Sequence, residues 1–90
     1  MYQRRTTVLN KSGLHLRPAS QFVALAGRSV SEITIKRVES GASCDAKSIV
    51  LLLHLAVAKG TEIEIAAQGE DEAEAVDALI ELVEGGFDDA

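Results

Sequence analysis

The stretch Thr61-Glu62-Ile63-Glu64-Ile65-Ala66-Ala67 alternates polar and apolar side chains, with Ile63, Ile65 and Ala67 on one side. Successive strand residues point to opposite faces, so this block reads as a β-strand with one face buried and one wet. Such a strand needs a sheet around it and a layer over its apolar face. Glu32-Ile33-Thr34-Ile35-Lys36 alternates in the same way, with Ile33 and Ile35 inward. Glu39-Ser40-Gly41-Ala42 then supplies turn residues, and a hairpin return through residues 43–45 is expected. Residues 2–9 read as a further strand, Thr6 and Val8 on one face and Arg5 and Thr7 on the other.

Three stretches carry the helical period instead. From Pro18 to about Gly27, the residues Phe22, Val23, Leu25 and Ala26 include the spacing of a buried stripe, and Gly27 is a terminator. Ala46-Lys47-Ser48 opens a second, short helix with a body from Ile49 to about Leu55; Ser48 or Asp45 can cap it. That body is apolar nearly all round, so part of it is expected to stay exposed as a docking patch. Ala58-Lys59-Gly60 ends it, and Gln68-Gly69 turns the chain after the alternating strand. Glu70-Asp71-Glu72 at the start of the last helix complements the helix dipole. Its expected buried stripe is Ala73, Val76, Leu79, Ile80 and Val83; Gly85-Gly86 stops it, and residues 87–90 read as a short frayed tail.

The order is therefore strand, helix, strand, strand, helix, strand, helix. That is an α+β pattern: a mostly antiparallel four-stranded sheet with three helices over one face, in a single domain spanning residues 1–90, without repeats or linkers. Strand order stays open at this point. With only one Tyr, two Phe and no Trp, the core must be built from Ile, Leu, Val and Ala.

Net charge is −5, which argues against nucleic acid as a partner, because a phosphate backbone calls for a basic stripe. Basic residues bunch early (Arg4, Arg5, Lys11, Arg17, Arg28), and acidic ones from Glu70 to Asp89 read as a solvated helix face. The lone Cys44 cannot form an intrachain disulfide; it reads as a small strand residue and fits a reducing cytoplasm. The front of the chain lacks the apolar run and cleavage site of a signal peptide. The longest apolar stretch, interrupted at His54, is too short to cross a bilayer. A cytoplasmic location is expected, with no membrane insertion.

The chemistry concentrates in Ser12-Gly13-Leu14-His15-Leu16-Arg17-Pro18-Ala19-Ser20. Proline fits just inside a helix start, where first-turn N–H groups have no intrahelical partner. His15 then stands ahead of a helix end that carries about half a positive charge and binds anions readily. Neutral imidazole is a nucleophile near neutral pH. A phosphoryl group on His15 would have its oxygens held by helix N–H groups and by the Arg17 fork. An imidazole that merely caps the helix is the plainer alternative, and the combined pattern favours the chemical one. His54 has no carboxylate or cysteine at metal-ligand spacing beside it and reads as a packing or surface residue. No metal or cofactor is expected. No glycine-rich phosphate loop with lysine occurs, and no nucleophile–base–acid set of a hydrolase.

Gly13-Leu14-His15-Leu16-Arg17-Pro18-Ala19 resembles the active-site signature of the HPr family, the histidine phosphocarriers of the bacterial sugar phosphotransferase system. Lys47-Ser48-Ile49 falls where that family carries a regulatory serine, and the resemblance covers nearly the whole chain. It implies an HPr-like open-faced β-sandwich, βαββαβα, with sheet order 1-4-2-3. It implies that His15 takes a phosphoryl group on Nδ1 from phospho-enzyme I and passes it to IIA domains. Arg17 and the N–H groups near residues 16 and 17 would balance the charge. Ser48 would be modified by HPr kinase/phosphorylase, and the added charge would hinder exchange. The protein would be a carrier rather than an enzyme, and a monomer, as members usually are. Leu16, Ser20, Ile49, Val50 and Leu53 are the docking face inferred by position. Leu16 stands where many members have a smaller or hydroxyl residue, which alters the contact surface more than the chemistry. Members often carry basic residues along the first helix where this chain has Ala24 and Gly27, so apolar contact should matter more here. The alternatives are a nitrogen-type or regulatory HPr-like protein, whose phosphorylation controls partners rather than sugar uptake, and a pure binding module governed by Ser48.

Overall fold

The computed structural model describes residues 1–88. Four strands form one antiparallel sheet: β1 (Tyr2–Thr7), β2 (Glu32–Arg37), β3 (Ser43–Asp45) and β4 (Glu62–Gln68). Their order across the sheet is β1-β4-β2-β3, the order expected from the resemblance. Three helices accompany them: α1 (Leu16–Ala26), α2 (Ile49–His54) and α3 (Glu72–Glu84), followed by a single 3₁₀ turn over Gly86–Asp88.

Register sorts the side chains. Ile65 of β4 lies opposite Arg4 of β1 and Ile35 of β2, and Cys44 of β3 lies opposite Ile35. Ile33, Ile35, Ile63, Ile65 and Ala67 are therefore on one face, where all five are buried. Phe22 and Ala26 of α1, Leu52 of α2, and Val76, Leu79, Ile80 and Val83 of α3 complete the core beneath the helices. Each large apolar side chain so covered stabilises the fold by ~1.5–3 kcal/mol before entropy is counted. The polar members of the alternating blocks fall on the other face. There Glu64 is buried despite its charge, because Arg5 and Lys36, its neighbours in the two adjoining strands, both reach it. Among the described residues no helix is long and apolar enough to cross a membrane.

Several local expectations are corrected. β1 stops at Thr7 rather than running to residue 9: the Val8 N–H still meets Thr61 O, next in register, but the Val8 carbonyl accepts from the Gly60 N–H and the regular pairing ends there. α1 starts at Leu16, so Pro18 sits at the third helical position, still within the turn that lacks intrahelical acceptors. Within α1 the buried set is Pro18, Ala19, Phe22 and Ala26, while Val23 and Leu25 are half-buried. Ala73 is exposed in the first turn of α3, and Ala75 packs in part against the core instead.

The tail correction is larger. Phe87 is buried, not frayed. Gly86 and Phe87 both take left-handed backbone angles, with φ of 72° and 58°, which turns the chain back on itself after α3. A left-handed non-glycine residue costs ~1–2 kcal/mol. Burying the ring returns ~1.5–3 kcal/mol, so the reversal is favoured. Residues 89 and 90 lie outside the described part of the chain.

Candidate functional site

The segment joining β1 to α1 is fastened before it reaches His15. Val8 is buried, its N–H donating to Thr61 O at 3.0 Å and its carbonyl accepting from Gly60 N–H at 2.7 Å. Asn10 is also buried; its side-chain amide donates to Gly13 O at 2.7 Å. Gly13 has φ +64°, and a Cβ there would stand 2.4 Å from Val57 O and 2.7 Å from Ala58 Cα. No other residue fits without moving backbone. Leu14 then buries its side chain and donates its N–H to Val57 O at 2.8 Å. On the far side Pro18 and Ala19 are buried. Anchored at both ends, His15, Leu16 and Arg17 are left exposed between them.

His15 is the N-cap of α1, with extended backbone, and its side chain makes no capping hydrogen bond. The first intrahelical bond runs from Ala19 N–H to His15 O at 2.9 Å. Pro18 has no N–H, so the amides of Leu16 and Arg17 are the donors that precede it in the helix. No acidic residue lies in the first turn of α1, so no carboxylate there opposes an anion. The arrangement can hold negatively charged oxygens beside an exposed imidazole.

α2 runs antiparallel to α1. The Leu14–Val57 bond joins the start of α1 to the chain just past the end of α2. At the other end, Lys47 Nζ donates to Ser29 O at 2.8 Å. His15 and Ser48 therefore lie toward opposite ends of the helix pair. Ser48 is the N-cap of α2, its hydroxyl accepting from Leu51 N–H at 3.3 Å; Asp45 takes the Lys47 N–H at 2.9 Å instead. Of the residues assigned to docking, Leu16, Ser20 and Val50 are exposed. Ile49 and Leu53 are half-buried and packed on the core. Leu51, next to Val50 on α2, is 47% exposed as well, although its place in the sequence does not single it out. His54 is exposed in the last turn of α2.

Sequence reasoning also missed the turn that supports His15. Arg37 donates from Nη1 to Leu55 O at 3.2 Å, while its Nε is buried without a hydrogen-bond partner. Ala56 comes next with a left-handed φ of 56°, and Val57 and Ala58 then meet Gly13 and Leu14. A non-glycine left-handed residue carries no sequence signal, so only the backbone reveals it. At the other end of α1, Asp71 accepts from the hydroxyls of Ser31 and Ser29 rather than capping its own helix. Those two bonds, Ser31 foremost, hold the Asp71 carboxyl below the ordinary carboxylate range. A surface groove of about 380 Å³ lies between α1 and α3, lined by Leu25, Leu82 and Phe87 among others, and includes none of these residues. Among the described residues no cluster of three or more His, Cys, Asp or Glu side chains could hold a metal ion.

Comparison with known proteins gives a consistent result. Residues 2–85 match the family model described as the PTS HPr component phosphorylation site. The phosphocarrier protein HPr of Pseudomonas putida is 39% identical over 89 residues, covering 99% of this chain and 98% of that protein. The phosphocarrier protein NPr of Proteus mirabilis is 40% identical, covering 96% and 94%. The HPr-like protein Crh of Bacillus subtilis is 43% identical, covering 93% and 96%. Among solved structures, HPr-C-His from Thermoanaerobacter tengcongensis superposes with a TM-score of 0.95 at 36% identity, covering 100% of this chain and 99% of that one. A crystal structure of Bacillus subtilis Crh, described as a swapped dimer, gives 0.74 at 42% identity, covering 94% and 95%.

Proposed function

The chain belongs to the HPr family of phosphocarriers of the phosphotransferase system, and from that premise we propose that His15 is the residue that carries the phosphoryl group. The observation that supports this most is the exposed His15 at the α1 N-cap, with Arg17 and the Leu16 and Arg17 amides next in the chain. In the forward step the lone pair of Nδ1 attacks phosphorus on phospho-enzyme I. The nitrogen–phosphorus bond forms as the bond from phosphorus to the donor breaks, and the oxygens stay anionic. Arg17 and the two amides balance that charge; the second step, to a IIA domain, is the same exchange in reverse. The chain accepts and surrenders the group without turnover of its own. Leu16, Ser20 and Val50, with Leu51 and the half-buried Ile49 and Leu53, are the surface against which both partners dock. The working form is a monomer, which leaves that surface open.

Incubation with phosphoenolpyruvate and enzyme I tests the reading. Acid-labile phosphate should appear on the protein and vanish in His15→Ala; phosphate that persists in His15→Ala overturns it. Val50→Glu should slow the transfer, and an unchanged rate means the docking face is misplaced. Ser48 is read as a regulatory site for HPr kinase/phosphorylase. A phosphate there adds ~1.5–2 negative charges near the docking surface. Ser48→Asp should therefore reduce transfer to His15.

A nitrogen-type or regulatory role is the second reading, because the NPr and Crh relatives are as similar to this chain as the HPr relative. Under it His15 still takes phosphate, yet no sugar-specific IIA domain removes it. A pure binding module would take none.

A further inference from the structure

We propose that Asn10 is a positioning residue for His15: its buried amide closes the loop that carries the imidazole, and the rate of phosphoryl transfer depends on that closure. The proposal rests on the phosphocarrier reading above and adds a residue to it.

Among the described residues, three polar or charged ones are buried: Asn10, Ser31 and Glu64. Ser31 and Glu64 have hydrogen-bonded partners matched to their chemistry. Asn10 does not. Its Nδ2 donates to Gly13 O, while its Oδ1 is buried and accepts no hydrogen bond from the protein. A buried amide satisfied on one side only is worse for stability than an apolar side chain of similar shape. What the amide does supply is geometry. Gly13 N–H donates back to Asn10 O at 3.1 Å, so the segment from Asn10 to Gly13 is closed by two bonds in opposite directions.

That closure matters because it sets the path of the chain into His15. Gly13 is pressed against Val57 and Ala58 with no room for a Cβ, and Leu14 is tied to Val57 O. The segment has one seat, and Asn10 holds Gly13 in it. Two residues on is His15, whose backbone leads directly into α1. A tilt of the Gly13 peptide is passed through Leu14 to the imidazole and to the Leu16 and Arg17 amides together. By that route the effect of Asn10 is on aim. A misplacement of about 1 Å can cost on the order of 100-fold in rate.

Asn10→Asp keeps the shape but replaces the N–H donor with an oxygen facing the Gly13 carbonyl; Asn10→Ser removes the reach without adding charge. Each is compared with Val76→Ala, a core variant in α3 that lowers the melting temperature without touching the loop. Phosphoryl transfer from enzyme I is measured as turnover and KM, and the His15 ring is titrated by NMR. In the Asn10 variants turnover should fall about tenfold with KM within twofold, and the His15 titration curve should move, whereas Val76→Ala keeps both. Asn10 variants that lose melting temperature but keep turnover and the His15 titration overturn the proposal. If the parent protein takes no phosphate from enzyme I, the phosphocarrier reading fails. The titration then decides alone: a displaced curve upholds the positioning role, and a superimposed one ends it. Should Asn10→Asp not fold, Asn10→Ser is read by the same criteria.

Discussion

Two backbone positions beside His15 are decided by single torsions. Gly13 is left-handed and walled in by the backbone of residues 57 and 58, so Gly13→Ala meets both strain and collision. A loss of at least ~2 kcal/mol is expected, read as a lower urea midpoint at unchanged slope; an unchanged midpoint would mean that the two loops part easily. Ala56 is the opposite case. It is exposed and left-handed, so Ala56→Gly removes strain without removing a contact. The strain is worth ~1–2 kcal/mol. Glycine gives back ~0.4–1 kcal/mol through the freer unfolded chain, so the expected net gain is roughly 0.5–1 kcal/mol by the same measurement. Neither effect can be read from the spacing of residues. Glycine in Ser12-Gly13-Leu14 marks a turn, but not which wall it faces, and alanine at 56 marks nothing.

Among the elements, the sheet and the last helix share the chain's acid sensitivity. β4 places Glu64 between Arg5 on β1 and Lys36 on β2, at 2.9 and 3.3 Å. The Arg5 hydrogen bond first, and Lys36 after it, hold the Glu64 carboxyl below the ordinary carboxylate range. A depressed folded-state value stabilises above the unfolded value of about 4.3 and is lost as pH falls through the folded one. Asp71 and Asp77 are shifted in the same direction, Asp71 by serine hydroxyls and Asp77 by Tyr2 and then Arg4. Stability should therefore be flat near neutral pH and fall below about pH 4, as followed by circular dichroism across an acid titration. Glu64→Gln should shrink that fall; an identical acid limb would show that the three-strand contact contributes nothing. The strand alternation made these neighbours predictable as a wet face. It did not reveal that Glu64 would be buried there, because burial depends on the long side chains that fold over it from two other strands.

For the molecule as a whole, the test falls on its ends. Phe87 lies past α3, yet is among the largest fully buried side chains, and lines the groove with Leu25 and Leu82. Phe87→Ala should cost ~3–5 kcal/mol by chemical denaturation. That is a large part of the ~5–15 kcal/mol available to a small domain, so a truly frayed tail would be obvious from an unaltered midpoint. Alternation in residues 32–36 and 61–67, the helical stripes and the turn residues determined the kinds of element, their order and the inward faces of β2 and β4. Each is a local pattern, set by the two-residue period of a strand or the 3.6-residue period of a helix. Pro18 likewise marked the helix start ahead of which His15 stands. Tertiary structure decided the rest: the close seat of Gly13 on Val57, the left-handed turns at Ala56 and Phe87, the burial of Asn10 and Glu64, and the grip of Asp71 on the loop after α1. These arise where segments distant in sequence meet, and the energy of such a contact depends on what stands opposite, which no single stretch of chain contains.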